Sequence, residues 1–167
     1  MMLEIEPVRT KAQAAAVERL AWDFVDWLRA RYPERKDQID NYLAHQKFAE
    51  NVSDVRVRYG PPQGECLLAV LDGMPVGIVM LTDAGNGICE MNRMFVSEAA
   101  RGSGAGRALV SRLQDCAPEM GFRRMELGAL PRHHEALSLY RKMGFVEDPG
   151  LDDHGGGDDA IKMAADL

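Results

Sequence analysis

The chain has 167 residues, which is enough for one domain with a proper core and too few for two ordinary domains. Hydrophobic residues make up 46% and charged residues 28%, and the formal net charge of −6 argues against general nucleic-acid binding. No apolar stretch approaches the roughly 20 residues of a membrane span, and the N-terminus lacks the apolar run of a secretory signal. We therefore expect a single domain over residues 1–167 that is cytoplasmic and binds neither nucleic acid nor membrane.

The first 65 residues predict a strand, two helices and a turn. Apolar residues at positions 3 and 5 favour a strand over Leu3–Val8. Thr10 is a candidate helix cap, and apolar residues at three-and-four spacing predict a buried helical face from there to about Tyr32. A weaker pattern predicts a second helix over residues 37–49, and the glycines and prolines of residues 60–64 predict a turn.

Three apolar runs then follow in quick succession, joined by short links that contain glycine. Such links are typical of antiparallel neighbours, so the runs predict a meander of three strands. The strands are expected at Cys66–Leu71, Val76–Leu81 and Ile88–Val96.

After residue 96 the pattern changes to a glycine-rich loop, a helix, a strand, a second helix and two short strands. Pro118 removes a late helical hydrogen bond, so the first of these helices is expected to end or kink there. The order predicts an α+β fold: a mixed, mostly antiparallel sheet with flanking helices and a β-α-β crossover after the fourth strand. The elements are expected at Arg107–Ala117, Arg124–Leu130, His134–Met143, Phe145–Glu147 and Ala160–Ala165.

The cysteines and the glycine- and aspartate-rich segment 149–159 do not indicate a metal site. Cys66, Cys89 and Cys116 contain no C-x-x-C pair, so we expect small buried side chains in place of a disulfide framework or a zinc site. The segment 149–159 lacks the spacing and the distal glutamate of a calcium loop, so we expect no bound metal there.

The sharpest local signal is the loop before the helix that starts near residue 107. It places Gly102, Gly104 and Gly106 between Arg101 and Arg107. Glycines let consecutive backbone N–H groups point at a ligand, and the helix N-terminus adds about half a positive charge, so the loop predicts a phosphate or pyrophosphate site. A plain tight turn is the alternative, which three alternating glycines fit poorly. Residues 99–145 also carry a net charge of +4 against −10 for the remainder, which suits one anionic ligand or a set of solvated helix faces.

Residue identity excludes two common phosphate loops. A nucleotide-hydrolase loop needs Gly-Lys-Ser/Thr after its glycines, whereas Gly106 is followed by Arg107 and Ala108. A dinucleotide fingerprint needs a third glycine at position 107 or 109, which are arginine and leucine, and it follows parallel strands, not a meander.

The R-x-x-G-x-G sequence of Arg101–Gly106 resembles the acetyl-CoA-binding motif of the GNAT superfamily of N-acetyltransferases. Residues 89–96 (CEMNRMFV) are similar to the family's fourth strand, residues 121–127 to its fifth strand, and residues 136–145 (ALSLYRKMGF) to its A-x-x-L-Y-x-x-x-G-F signature. Order and spacing agree from about residue 66 to 146, roughly half of the chain. The first 65 residues agree only in outline.

The resemblance implies how acetyl-CoA would be bound. Backbone N–H groups of residues 102–106 would hold the CoA pyrophosphate, and freed main-chain groups of the fourth strand would pair with the pantetheine arm and stabilise the developing oxyanion. Some relatives have an asparagine that contacts the cofactor arm at the position of His133, which is a departure in this chain. The implied cofactor residues are Met94, Phe95, Val96, Arg101, Gly102, Ser103, Gly104, Ala105, Gly106, Arg107 and His133.

The resemblance also implies two catalytic residues. Tyr140 occupies the position of the acid that protonates the leaving thiolate, and the alternative is a tyrosine that only packs on the sheet. Glu90 lies where some relatives place the general base, and the alternative is a solvent-facing carboxylate or one paired with Arg93. Arg56, Arg58 and Tyr59 are expected on the surface, the alternative being contact with a carboxylate of the acceptor.

The implied function is direct transfer of an acetyl or small acyl group from acetyl-CoA to an amine of a small molecule, amino acid or peptide, without a metal. Two alternatives remain: a non-catalytic module of the same fold that binds or senses acyl-CoA, and a protein for a different phosphate ligand. The net negative charge outside residues 99–145 mildly favours a cationic amine as the acceptor, because it would attract such a molecule at long range. A homodimer is consistent with the family, although no sequence feature identifies an interface.

Overall fold

The computed structural model describes residues 1–151 and 159–167, and within them seven strands form one sheet. The strands are β1 (Leu3–Pro7), β2 (Gly64–Leu71), β3 (Met74–Gly85), β4 (Ile88–Val96), β5 (Arg124–Ala129), β6 (Val146–Glu147) and β7 (Ile161–Asp166). Their order in the sheet is β1-β2-β3-β4-β5-β7-β6. β4 and β5 are parallel and the other neighbours are antiparallel, so the predicted α+β class, meander and crossover are confirmed.

Helices cover both faces of this sheet. They are α1 (Lys11–Arg31), α2 (Lys36–His45), α3 (Phe48–Ser53), α4 (Val55–Arg58), α5 (Ala105–Glu119) and α6 (His134–Lys142), with 3₁₀ turns at Pro33–Arg35 and Glu98–Ala100. Pro118 lies in the last turn of α5, which ends one residue later, close to the predicted end.

α1 begins and packs as its sequence predicts. The Thr10 hydroxyl accepts the Gln13 N–H at 3.1 Å, and the Gln13 side-chain oxygen accepts the Thr10 N–H at 3.0 Å, which completes a capping box. The buried residues of the helix recur at helical spacing and so form one stripe. They are Ala14, Val17, Leu20, Ala21, Val25 and Leu28.

The region after α1 differs from the prediction of one helix over residues 37–49. The chain forms three short helices instead, because Lys47 adopts the left-handed conformation (φ 52°) and interrupts the helical path. The break lets Phe48 and Val55 turn inward and pack with α1 in a buried cluster. Tertiary packing therefore overrides the local helical pattern here.

The sheet separates two apolar cores. Leu67 and Leu81 face the core formed with α5 and α6, whereas Leu68 and Met80 face the core formed with α1, α3 and α4. Both faces of the central strands are therefore buried, which explains why β2 and β3 read as continuous apolar runs and not as alternating ones.

Candidate active site

β4 and β5 separate part-way along their length. Pairing between them ends at Glu90 and Glu126, whereas β4 continues to Val96 and β5 to Ala129. Among the residues that the structure describes, no strand lies in the gap that opens between them. Main-chain groups on this side of β4 therefore face the gap and not a neighbouring strand.

The hydrogen-bond pattern of β4 decides which main-chain groups reach this gap. The Ser97 N–H donates to the Val76 carbonyl at 2.8 Å, and hydrogen-bonded residues alternate along an antiparallel ladder. Met94 and Val96 therefore direct their main-chain groups into the gap, whereas those of Phe95 pair with β3. Of the three strand residues predicted to pair with a pantetheine arm, Phe95 is available only through its side chain.

A β-bulge at Arg93 changes the faces of β4. Arg93 has a φ of 50°, and the register of β4 on β3 shifts there by one residue. As a result Cys89 and Met91 pack in the α5 core, whereas Phe95 packs in the α1 core. Regular alternation would have placed all three on one face, so the bulge determines which side chains reach each side of the sheet.

The glycine loop is open at the N-terminus of α5. Gly102 and Gly104 have φ values of 81° and 87°, a conformation that glycine adopts without strain. A Cβ at either position would meet no described atom within 4 Å. The backbone at these two residues is therefore bare and accessible, as the phosphate-site interpretation requires.

Two of the five predicted loop amides are used within the protein. The Ser103 N–H donates to the Ala100 carbonyl at 3.1 Å, and the Ala105 N–H donates to the Ser103 hydroxyl at 3.3 Å. Within the described part of the chain, the N–H groups of the three loop glycines make no well-formed hydrogen bond to protein. Three of the five loop N–H groups, those of the glycines, therefore remain for the predicted anion.

A cavity of about 370 Å³, here called the loop cavity, connects the strand gap to the glycine loop. Its wall contains every residue predicted to contact acetyl-CoA except Ser103. Trp27 of α1 closes one side, with the Arg101 guanidinium 5.8 Å from its ring centroid. The structure therefore brings the predicted cofactor residues together around one space.

A second cavity, of about 150 Å³, lies between α1, α2 and β4 and is here called the inner cavity. Phe24, Met94 and His133 belong to the walls of both cavities, which therefore adjoin. The predicted catalytic residues Glu90 and Tyr140 both line the inner cavity. A molecule in the inner cavity would thus meet a ligand of the loop cavity at these shared walls.

Glu90 is partly buried and faces the α1 side of the sheet. It stands beside Glu126 in the parallel ladder, and the Glu126 carboxylate lies 3.4 Å from the Arg124 Nε. Sequence reasoning did not single out Glu126, since only the register of β4 on β5 places the two residues side by side. No ion pair among the described residues includes Arg93, so the alternative pairing of Glu90 with Arg93 does not form.

Tyr140 is buried, with 6% of its surface exposed, and its ring packs 5.8 Å from that of Phe145. Burial raises the pKa of its phenol above the usual value, so the side chain stays protonated at neutral pH. The ring of Tyr140 therefore packs in the core, as the alternative interpretation expects. Its hydroxyl is in the protonated form, which is the form that a proton donor requires.

His133 is held by a buried tyrosine that the sequence reasoning missed. The Tyr32 hydroxyl accepts the Arg132 N–H at 2.9 Å and lies 2.7 Å from the His133 Nδ1. This contact ties the His133 ring to Tyr32 through Nδ1. Burial, with the nearby charge of Arg31, lowers the pKa of His133 to about 4. His133 occupies the N-cap position of α6, but its side chain makes no capping hydrogen bond.

The thiols are not activated. Burial raises the pKa of Cys66 and Cys116, and it raises the pKa of Cys89 to about 12. Since the thiolate is the nucleophilic form, none of the three is prepared for covalent catalysis.

The surface expectation is wrong for Tyr59, which is 3% exposed. It ends α4 and packs in the α1 core, and its hydroxyl accepts a hydrogen bond of 2.5 Å from the Arg93 Nη1. Arg58 is exposed as expected, and Arg56 pairs with Asp54 at 2.7 Å.

The described residues contain no group of three or more His, Cys, Asp or Glu side chains placed to hold a metal ion. No helix among them combines the length and apolarity needed to cross a bilayer. Most of the 149–159 segment, residues 152–158, lies outside the described residues.

Comparisons with a family model and with individual relatives agree on one protein family. Residues 21–145 match the Acetyltransferase (GNAT) family. The chain is 31% identical over 105 residues to an uncharacterized N-acetyltransferase of Schizosaccharomyces pombe, and 35% identical over 92 residues to the uncharacterized N-acetyltransferase YjgM of Escherichia coli. These alignments cover 62% and 54% of this chain and 64% and 55% of the relatives, so the chain spans less than two thirds of each relative's length.

The fold is also found among solved structures. PaiA N-acetyltransferase from Thermoplasma acidophilum, solved in complex with coenzyme A, superimposes over 100% of both chains with a TM-score of 0.75 and 16% identity. At this identity the likeness concerns the fold alone. The family match, by contrast, spans well over half of the sequence, and this chain therefore belongs to the acetyltransferase (GNAT) family.

Proposed function

We propose that this protein transfers an acetyl or small acyl group from acetyl-CoA directly to the amine of a small molecule, amino acid or peptide. The observation that carries the proposal is the separation of β4 from β5 beyond Glu90, with the loop cavity running from that gap to the glycine loop. Relatives named N-acetyltransferases and a structural neighbour solved with coenzyme A support the same donor.

The loop and the gap fit the two ends of this donor. The unused N–H groups of the loop glycines, the N-terminus of α5 and the exposed Arg107 would bind the pyrophosphate. The main-chain groups of Met94 and Val96 would pair with the amides of the pantetheine arm in the way that a neighbouring strand would. The donor would then lead from the loop toward the shared wall of the two cavities.

Direct transfer needs one base and one acid. The amine nitrogen forms a bond to the thioester carbonyl carbon, the carbon–sulfur bond breaks, the amine proton goes to Glu90 and the thiolate takes a proton from Tyr140. A β4 main-chain N–H in the gap would stabilise the oxyanion. The protonated cysteines agree with transfer that has no covalent enzyme intermediate.

The test separates an enzyme from a binding module of the same fold. Calorimetry with acetyl-CoA and no acceptor should give saturable binding, and thiol release with a panel of amines should reveal turnover. Glu90→Gln should lower kcat/KM by about 10²- to 10⁴-fold without changing acetyl-CoA affinity, because a general base contributes that much. Glu4→Gln, an exposed glutamate on β1, is the matched control.

Each outcome has a definite meaning. Absence of acetyl-CoA binding ends the proposal. Binding without release of CoA for any amine favours the sensing module. Equal turnover in Glu90→Gln and the native protein removes the base assignment and leaves the enzyme class.

A further inference from the structure

The inner cavity carries an arginine that acetyl transfer alone does not require. Arg93 is partly buried at the bulge of β4 and lines this cavity together with Glu90. The other walls are mainly apolar and aromatic. They include Phe24, Leu28, Ile39, Tyr42, Leu43 and Phe48.

The contacts that hold Arg93 are all with neutral groups. Its Nη1 donates to the Tyr59 hydroxyl at 2.5 Å, and its guanidinium lies 5.1 Å from the Phe48 ring centroid and 5.8 Å from that of Tyr59. In the described residues no carboxylate forms an ion pair with it, whereas Arg35, in the same wall, is paired with Asp159. Arg93 is thus positioned by aromatic rings, and its charge is not neutralised by a described neighbour.

Such an arrangement is costly unless a ligand uses it. A guanidinium has five N–H donors in a planar fork, and withdrawing it from water without an anion is unfavourable. Its backbone is also in the left-handed region (φ 50°), which is uncommon for a non-glycine residue and concentrates at functional sites. Planar, aromatic-supported arginines are the preferred partners of carboxylates, which they bind through two parallel hydrogen bonds.

Resting on the proposed acetyl transfer, we propose that the acceptor is a small amino carboxylic acid with an apolar side chain, whose carboxylate binds Arg93. Its amine faces Glu90 and its apolar part packs on the Phe24 and Leu43 side of the cavity. A cavity of about 150 Å³ suits a molecule below drug size and not a folded protein surface. The acceptor is therefore zwitterionic, which refines the expectation of a simple cationic amine.

The closing experiment compares acceptors that differ only in the carboxylate. L-Phenylalanine and L-leucine are paired with phenethylamine and isoamylamine, and thiol release gives kcat/KM for each with saturating acetyl-CoA. The native protein should prefer the amino acids by about 10- to 100-fold, the range expected for a hydrogen-bonded charge. Arg93→Gln should remove this preference, so that each amino acid and its matched amine react with similar kcat/KM, and should leave acetyl-CoA affinity unchanged.

Controls guard against a merely structural effect. Arg19→Gln removes an exposed arginine of α1 and should keep the native preference. Arg93→Lys keeps the positive charge but lacks the planar fork of N–H donors, so it should keep part of the preference for the amino acids. It replaces Arg93→Gln if circular dichroism shows that the glutamine variant is unfolded.

A binding measurement separates failure of this proposal from failure of the proposed function. Calorimetry of the same four compounds is done with the protein saturated with CoA. If no compound is acetylated but the amino acids bind and lose affinity in the Arg93 variants, the Arg93 proposal stands and the enzyme proposal fails. If the simple amines bind or react as well as the amino acids, the Arg93 proposal is overturned and acetyl transfer is unaffected.

Discussion

The Tyr140 side chain combines a packed ring with a hydroxyl that has no hydrogen-bond partner among the described residues. Leaving a buried hydroxyl unpaired costs about 1–3 kcal/mol. The other buried tyrosine near the site, Tyr32, has a hydroxyl that bonds both Arg132 and His133. The two tyrosines therefore differ in that only the Tyr32 hydroxyl forms hydrogen bonds to described residues of the folded protein.

We predict that Tyr140→Phe leaves the free energy of unfolding unchanged or raises it by up to about 1 kcal/mol, since it removes an unpaired buried hydroxyl. The same change should lower kcat at least about 100-fold if Tyr140 is the proton donor. Tyr32→Phe, the matched control, should lower the free energy of unfolding by about 1–2 kcal/mol because two hydrogen bonds of the Tyr32 hydroxyl disappear. Urea denaturation and steady-state kinetics measure both quantities. Native kcat in Tyr140→Phe would reject the acid role.

At the same scale, the protonation of His133 is linked to stability. Its pKa in the folded protein, about 4, is below the value of about 6.5 in an unfolded chain. As pH falls, the unfolded chain binds the proton first, so the stabilisation is complete above about pH 6.5 and is lost progressively toward pH 4.

We therefore predict that the native protein loses about 1–2 kcal/mol more stability between pH 7 and pH 5 than His133→Asn does. Urea unfolding at the two pH values gives this difference, which is independent of any constant loss caused by the substitution. The exposed neighbour serves as control, and His134→Asn should keep the native pH dependence. Equal pH dependence in His133→Asn and the native protein would show that His133 is not the group responsible.

At the scale of elements, the site is formed where two regular elements stop being regular. β4 no longer pairs with β5 beyond Glu90 and has a bulge at Arg93, and α5 begins directly after the glycine loop. Each irregularity exposes backbone that a continuous sheet or helix would have used internally. Binding of the donor should therefore depend on the loop backbone more than on any one side chain.

A pair of glycines tests this dependence. Gly104 and Gly73 have similar φ values (87° and 81°), and a Cβ at either would meet no described atom within 4 Å. Gly104→Glu and Gly73→Glu therefore introduce the same strain and the same charge, at the loop and in the β2–β3 turn respectively. We predict similar losses of melting temperature, but at least about 100-fold weaker acetyl-CoA binding only in Gly104→Glu, by repulsion and obstruction. Calorimetry measures the acetyl-CoA affinity of both variants. Equal affinity in the two variants would contradict the assignment of the glycine loop to acetyl-CoA binding.

On the scale of the whole molecule, both apolar cores depend on the same sheet. Leu67 and Leu68 are neighbours in β2, yet they belong to opposite cores. Neither layer of helices can keep its packing if the strands separate, so the two cores should be lost together.

We predict a single cooperative unfolding transition for residues 1–167. Trp22 and Trp27 both lie on α1, so their fluorescence reports one core, while hydrogen exchange of α5 amides reports the other. The two measurements should give the same free energy of unfolding, as for other two-state domains. A separate early transition on the α5 side would show two independent units instead.

Much of this architecture could be predicted from local sequence. The cap at Thr10, the three-strand meander and the crossover around the glycine loop depend on periodicity and on glycine or proline positions within a few residues. Most of the residues that the family resemblance implies for the cofactor also lie close together in the sequence, in β4 and in the glycine loop, while His133 lies apart from them. The short helices after α1 could not be predicted, because Phe48 and Val55 turn inward only when α1 is there to receive them.

The sequence by itself therefore determined the fold class, the order of the strands and the position of the glycine loop, because each is encoded in neighbouring residues. Only the tertiary structure decided the neighbours of the candidate site residues: Glu126 beside Glu90, Tyr59 on Arg93, and Tyr32 on His133, which is 101 residues away in the chain. These contacts depend on strand register, on one bulge and on the docking of α1. Such features arise when distant segments pack together, and no local pattern carries them.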